Sequence, residues 1–283
     1  MGELTGTRVV VTGATSGLGA AMADALLEAG AQVAFASRPT PRLDEAVGRR
    51  RADGLGAVAL PVDVRDPGSV DEAAERAFES LGGVDVVVNN AGIGMRTVNP
   101  RFFEHPMPFF EVSPEGFADV VATNLTGYFL VARAFAPRFV AQGSGRIVNV
   151  SMNHATMRRR GFVPYGPARA GAEALSLVMT EDLRPFGVSV NLLLPGGATA
   201  TGMIPDGLPD DARARLLPAS VMGPPSVFLA SAEAEGVTGQ RIVAVEFPQW
   251  LEAFRAGEVP IDPGAAVPAG EPGGPADLAR GSS

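Results

Sequence analysis

Short apolar runs alternate along this chain with longer stretches of helix-forming residues. In the first third, Arg8–Thr12 (RVVVT), Val33–Ser37, Ala57–Leu60 and Val84–Asn89 read as strands. Between them, Ala20–Ala29, Leu43–Arg51 and Pro67–Leu81 read as helices, the last with Asp71, Glu72, Glu75 and Arg76 mostly outward. Farther on, Arg146–Ser151, Val188–Leu194 and Gln240–Val245 read as strands, and Ser113–Gln142, Tyr165–Phe186 and Ser226–Ala232 as helices. The fourth strand, VDVVVN, is apolar but for Asp85 and Asn89, as in parallel strands covered on both faces. This alternation predicts an α/β fold: one domain with a Rossmann-like, doubly wound parallel sheet and helices on both faces. Right-handed crossovers would bring the functional strand ends to one edge.

Two segments depart from the rhythm. Gly94–Val112 is a long insertion carrying Phe102, Phe103, His105, Met107, Phe109 and Phe110, suited either to wall a pocket or to pack on a second subunit. Residues 256–283, rich in Gly and Pro, read as a disordered tail behind a domain spanning 1–255. Gln249-Trp250-Leu251, beyond the last strand, could cover the site or a partner, or anchor that tail.

Composition narrows the chemistry. The chain of 283 residues has a formal net charge of −8 and no cysteine, which argues against nucleic-acid binding, thiolate catalysis and cysteine-bound zinc. With only two histidines, His105 and His154, no metal site is expected. No apolar run reaches the ~18 residues of a membrane span, and the start lacks the pattern of a signal peptide. A soluble, cytoplasmic protein is the expectation.

The most informative turn follows the first strand: Thr12-Gly13-Ala14-Thr15-Ser16-Gly17-Leu18-Gly19. Glycines there permit a tight turn and close backbone approach, and the helix that follows points its N–H groups at a pyrophosphate. The G-x-x-x-G-x-G spacing resembles that of the short-chain dehydrogenase/reductase family. Further motifs of that family occur in order from about Thr7 to Val245: Asp63-Val64 after the third strand, Asn89-Asn90-Ala91-Gly92 at the end of the fourth, Asn124 in Asn-Leu-Thr-Gly, and Pro195-Gly196 after the sixth.

The resemblance implies a nicotinamide cofactor held by Gly13, Thr15, Ser16, Gly17, Leu18, Gly19, Asp63, Val64, Asn89, Ala91, Gly92, Pro195 and Gly196, with Thr199 or Thr201 near the carboxamide. At the end of the second strand a carboxylate would grip a ribose 2′-hydroxyl; Ser37 and Arg38 stand there instead and suit a 2′-phosphate. NADP(H) is therefore favoured over NAD(H).

The resemblance also implies the reaction: interconversion of a carbonyl and a secondary alcohol by hydride transfer, with Tyr165 as acid/base, Ser151 holding the oxygen and Asn124 in a proton relay. The family's lysine, four residues after the tyrosine, is replaced by Arg169. Arginine at i+4 lies on the same helix face and supplies positive charge to tyrosine and ribose, but it cannot shuttle a proton. Counting the family's 13 residues back from Tyr165 lands on Met152, one past Ser151, leaving Asn153 as a stand-in donor. His154 and the Arg158–Arg160 run could serve as an extra acid/base and as an anion contact. Gly197–Pro218 reads as a lid. A homodimer or homotetramer acting on a small carbonyl or alcohol follows from the resemblance. The two departures keep alternatives open: non-redox chemistry such as epimerisation or dehydration, or a catalytically weak protein that senses the cofactor.

Overall fold

The computed structural model describes residues 2–205 and 207–261. Seven parallel strands form one sheet: β1 (Arg8–Thr12), β2 (Gln32–Ser37), β3 (Ala57–Pro61), β4 (Val86–Asn89), β5 (Gly145–Val150), β6 (Val188–Leu194) and β7 (Arg241–Val243), in the order β3-β2-β1-β4-β5-β6-β7. The expected α/β doubly wound architecture is present. Because β1 pairs with β2 on one side and β4 on the other, the order in which strands are added reverses there, and a crevice opens at the C-terminal ends of these parallel strands.

Helices α1 (Gly17–Glu28) and α2 (Pro41–Ala52) cover one face, and α3 (Pro67–Leu81) the other. One core cluster gathers Val9, Val11, Met22, Leu26 and Phe35; the other gathers Val10, Val87, Ala77, Phe135 and Phe139. Adjacent residues Val9 and Val10 thus serve opposite layers, which explains why both are apolar. The start of α3 is fixed by Asp66, whose side chain accepts from Ser69 N–H, and by Pro67 at its first position.

The expected long helix Ser113–Gln142 is divided. α4 (Pro114–Val121) passes through one wide π turn, Ala122–Thr126, into α5 (Gly127–Gln142). Such turns are costly and concentrate at functional sites; this one carries Asn124. A short α6 (His154–Met157) precedes α7 (Tyr165–Leu183), and α8 (Asp210–Arg213) and α9 (Gly223–Ala230) follow β6. The last strand is shorter than expected and leads into α10 (Phe247–Arg255). There Phe247, Trp250 and Phe254 stack on one another and meet Phe228 of α9 tilted or edge-on, so this segment anchors to the first core rather than covering the crevice. The chain stays attached past Arg255, since Thr238 N–H donates to Ile261 C=O and Gln240 Nε2 to Pro260 C=O. The rest of the expected tail lies outside the described residues.

Candidate active site

A cavity of about 900 Å³ occupies the crevice. Gly13, Thr15, Ser16, Gly17 and Leu18 form its floor, with Ser37 and Arg38 at one end and Asp63 and Val64 beside them. Gly13 (φ +67°) and Gly17 (φ +56°) adopt left-handed backbone that a side chain would strain. A Cβ on Gly13 would also stand 2.9 Å from Ala91 Cα. Thr12 holds the β1 and β4 ends together: its Oγ1 accepts from Asn90 N–H (2.9 Å) and Ala91 N–H (3.0 Å).

Ala91, Gly92, Pro195, Gly196, Thr199 and Thr201 also line the cavity. Three expected cofactor or site residues do not. Gly19 packs beneath the turn, where a Cβ would meet Gly13 C=O at 2.3 Å. Asn89 is buried, with its Nδ2 donating to Asn149 Oδ1 (2.9 Å). Asn124 is buried too, and its amide pairs both ways with the backbone of Ile93 (2.8 and 2.9 Å). That pairing fixes the strand-to-loop turn behind Gly92.

Sequence reasoning overlooked three neighbours. Arg42, in the first turn of α2, adds a second cation to that end of the cavity. Arg65 grips Asp63 through two nitrogens (3.0 and 2.8 Å), and this pairing holds the Asp63 carboxyl below its ordinary value. The third is Tyr128, the one tyrosine in the chain besides Tyr165.

Tyr128 and Tyr165 flank the buried Arg169 guanidinium, whose carbon lies 5.1 and 5.4 Å from the two ring centres. Nη1 of Arg169 donates to the Tyr128 hydroxyl and to Val150 C=O (2.8 Å). The hydroxyl in turn donates to Val150 C=O (3.1 Å). Burial works against the charge, but the two adjoining phenols outweigh it and keep Arg169 above the ordinary arginine value. Burial likewise pushes the Tyr128 phenol up, and Arg169 offsets only part of that. Gly92 makes room for the cation: a Cβ there would lie 2.6 Å from Nη2 and 3.1 Å from Asn124 Oδ1.

Tyr165 opens α7 at the inner end of an apolar cluster with Met95, Phe102, Phe162, Phe103 and Met152. Its hydroxyl points at Met203 Sδ, 4.0 Å away, a weak acceptor that a substrate oxygen would readily displace. Ser151, expected to hold that oxygen, lines the same cavity. Its Oγ donates to Glu173 Oε1 (2.6 Å), and the same carboxylate meets His154 Nε2 (2.8 Å) and Arg241 Nε (3.1 Å). Asn153, the stand-in, donates its amide to Gly196 C=O (2.8 Å). His154 is exposed and engaged by Glu173, away from Tyr165's cluster. The insertion divides: Phe102 and Phe103 wall the cavity, while Phe109 and Phe110 face outward, 71 and 74% exposed.

A glycine-floored crevice with arginines at one end and a tyrosine–arginine pair at the other defines a dinucleotide-binding protein with an acid/base site. A family model described as short chain dehydrogenase matches residues 7–210, and the chain belongs to that family. It is an NAD(P)-dependent oxidoreductase acting between alcohols and carbonyls. The gluconate 5-dehydrogenase of Gluconobacter oxydans is 31% identical over 194 residues, covering 69% of this chain and 72% of that protein. Among solved structures, a Beutenbergia cavernae protein described as an NAD(P)-dependent gluconate 5-dehydrogenase, with bound NADP, superposes with a TM-score of 0.75. It is 31% identical and covers 85% of this chain and 96% of its own. A 3-ketoacyl-(acyl-carrier-protein) reductase from Brucella melitensis, complexed with NADH, also scores 0.75 at 28% identity, covering 85 and 97%. Among the described residues no helix is long and apolar enough to cross a membrane, and no cluster of three metal-binding side chains occurs.

Proposed function

We propose that this protein is an NADP(H)-dependent carbonyl reductase or alcohol dehydrogenase in which Tyr165 is the acid/base and Arg169 its fixed cation. The carrying observation is the stacking of Arg169 beneath Tyr165, both lining the same cavity as the glycine turn and the apolar side chains Phe102, Phe103 and Phe162. The residues present fit a dinucleotide: left-handed glycines open the floor, and no carboxylate stands at Ser37 to repel a 2′-phosphate. Ser37, Arg38 and Arg42 would hold that phosphate, and Arg169 with Tyr165 would face the nicotinamide ribose. Bound NADPH supplies the hydride equivalent that reduces the carbonyl carbon.

The chain's own residues supply the rest. Tyr165 donates its proton to the substrate oxygen, and negative charge developing on the phenol is met by the guanidinium beside it. Arg169 stands where the family resemblance expects lysine. Since it stays charged throughout, it positions and polarises but carries no proton. Asn124 holds the turn behind Gly92, and Ser151, tied to Glu173, holds the 151–154 loop. Exposed Phe117, Phe129, Leu177 and Val178 on α4, α5 and α7 support a homodimer or homotetramer through these helices.

The test is NADPH consumption across a carbonyl panel, for the parent protein and Tyr165→Phe. Loss of about 100-fold or more in kcat with NADPH affinity retained is expected. A parent protein that binds NADPH yet consumes none would overturn the reading. In a second arm, Arg38→Asp should weaken NADPH by about tenfold, one charged contact of ~1.5 kcal/mol or more, and leave NADH nearly unaffected. Non-redox chemistry is the second reading, favoured by Met152 standing beside Tyr165 where a hydroxyl is expected. Product formed at constant NADPH absorbance would select it.

A further inference from the structure

The geometry points to a substrate class: a ketone, or its alcohol, whose apolar body ends in a carboxylate that Arg159 binds at the outer end of the pocket. This rests on the reading of the Tyr165 end as the reacting end. The whole chain is acidic at −8, but its main cavity is not. Arg38, Arg42, Arg65, Arg159 and Arg169 line it, against two carboxylates, Asp63 and Asp119. Both carboxylates lie beside Arg65, at 2.8 and 4.0 Å. Arg38 and Arg42 belong to the nucleotide end, and Arg169 is buried beneath Tyr165. Arg159 is then the cation left at the substrate end, with no carboxylate lining that end among the described residues.

Its setting is built. The guanidinium lies over the rings of Phe103 and Phe162, at 5.2 and 5.3 Å. Phe102 braces both rings, at 4.6 and 5.7 Å, and Tyr165 belongs to the same apolar cluster. Stacking engages the flat face of a guanidinium and leaves the N–H groups at its edge available. Among the described residues no side chain or carbonyl holds them. Its neighbours differ: Arg158 and Arg160 do not line the cavity, and Arg158 leans on His154 C=O (3.4 Å). A planar carboxylate matches that edge with two parallel hydrogen bonds. An apolar body would lie along Phe102, Phe103 and Met152, placing its carbonyl at Tyr165. A neutral sugar chain would leave this wall poorly used.

The test needs no turnover. Two acids, 4-oxocyclohexanecarboxylate and 4-acetylbenzoate, and their primary amides are titrated calorimetrically into the NADP⁺-saturated full-length protein. Each acid is expected to bind about tenfold or more tightly than its amide, as one charged bidentate contact provides. Arg159→Gln should reduce the acids to the affinity of the amides and leave the amides and NADP⁺ unchanged. Arg159→Lys should keep part of the preference, and Arg158→Gln all of it. Equal binding of acid and amide, no binding of either, or a preference that survives Arg159→Gln would each overturn the assignment. An acid preference without NADPH oxidation by any ketone would refute the redox reading alone and leave this one standing.

Discussion

Replacing Tyr128 by Phe tests whether the buried cation depends on a second tyrosine. The ring, 5.1 Å from the guanidinium carbon, would stay; the hydroxyl that accepts from Arg169 Nη1 would go. Arg169 is 3% exposed and its Nε already has no acceptor, so nearby water cannot readily make up the loss. A hydrogen bond to a charged group contributes about 1.5–3 kcal/mol, and the second bond from the hydroxyl to Val150 C=O about 0.5–1.5 kcal/mol. Losing the hydroxyl also removes its own desolvation cost, so about 2–3 kcal/mol net is expected. For a domain of this size that lowers Tm by ~4–12 °C. Urea unfolding at fixed protein concentration measures it, and the double variant with Arg169→Met provides the control. If the two residues act as one unit, the double variant costs at least ~1.5 kcal/mol less than the sum of the singles. A Tyr128→Phe penalty below about 0.5 kcal/mol, or strict additivity, refutes the reasoning.

Three further outcomes are expected. Gly92→Ala drives a Cβ to 2.6 Å from Arg169 Nη2. Titration should then show weaker NADPH binding with a stability loss of about 1–3 kcal/mol, and unchanged affinity would refute the packing argument. Met152→Ser places a hydroxyl beside Tyr165, where a donor to the developing oxyanion raises kcat by about tenfold or more; steady-state rates that do not rise would show that this hydroxyl is not the limiting feature. Asp63 is held below the ordinary carboxyl value by Arg65, so its stabilising contribution is complete above pH ~4 and fades as pH falls through the folded-state value. The stability gap between the parent apoprotein and Asp63→Asn should therefore stay constant from neutrality to pH ~5 and close below pH ~4. A gap that widens in acid would reverse the assigned sign.

The fold was legible because each strand must satisfy two cores at once. Val9 and Val10 feed opposite layers, so β1 had to be uninterrupted apolar sequence, and the glycine turn after it had to keep its left-handed positions. The π turn was not legible. Ala122–Thr126 has ordinary helix-compatible composition, and what widens the turn is tertiary: Asn124 pairs with the backbone of Ile93, far along the chain. Tyr128 left only a compositional trace, as one of two tyrosines. Its contact with Arg169 bridges 41 residues, a separation that no local pattern reports.

The serine expected at the substrate oxygen lies one residue from the place that the family spacing gives. Thirteen residues before Tyr165 stands Met152, and the hydroxyl is on Ser151. At the end of β5, however, successive side chains leave on opposite sides. Met152 packs against Tyr165, and the Ser151 hydroxyl donates a hydrogen bond to Glu173, two turns farther along α7. Glu173 is itself fixed by Arg241, whose Nη2 donates to Met152 C=O (2.8 Å). Ser151, Glu173 and Arg241 thus form a polar clamp behind the loop, and a one-residue slip that exchanged Ser151 and Met152 would take one of its three side-chain partners from the half-buried Glu173 carboxylate. The position of the thioether at the reacting end is therefore set from behind.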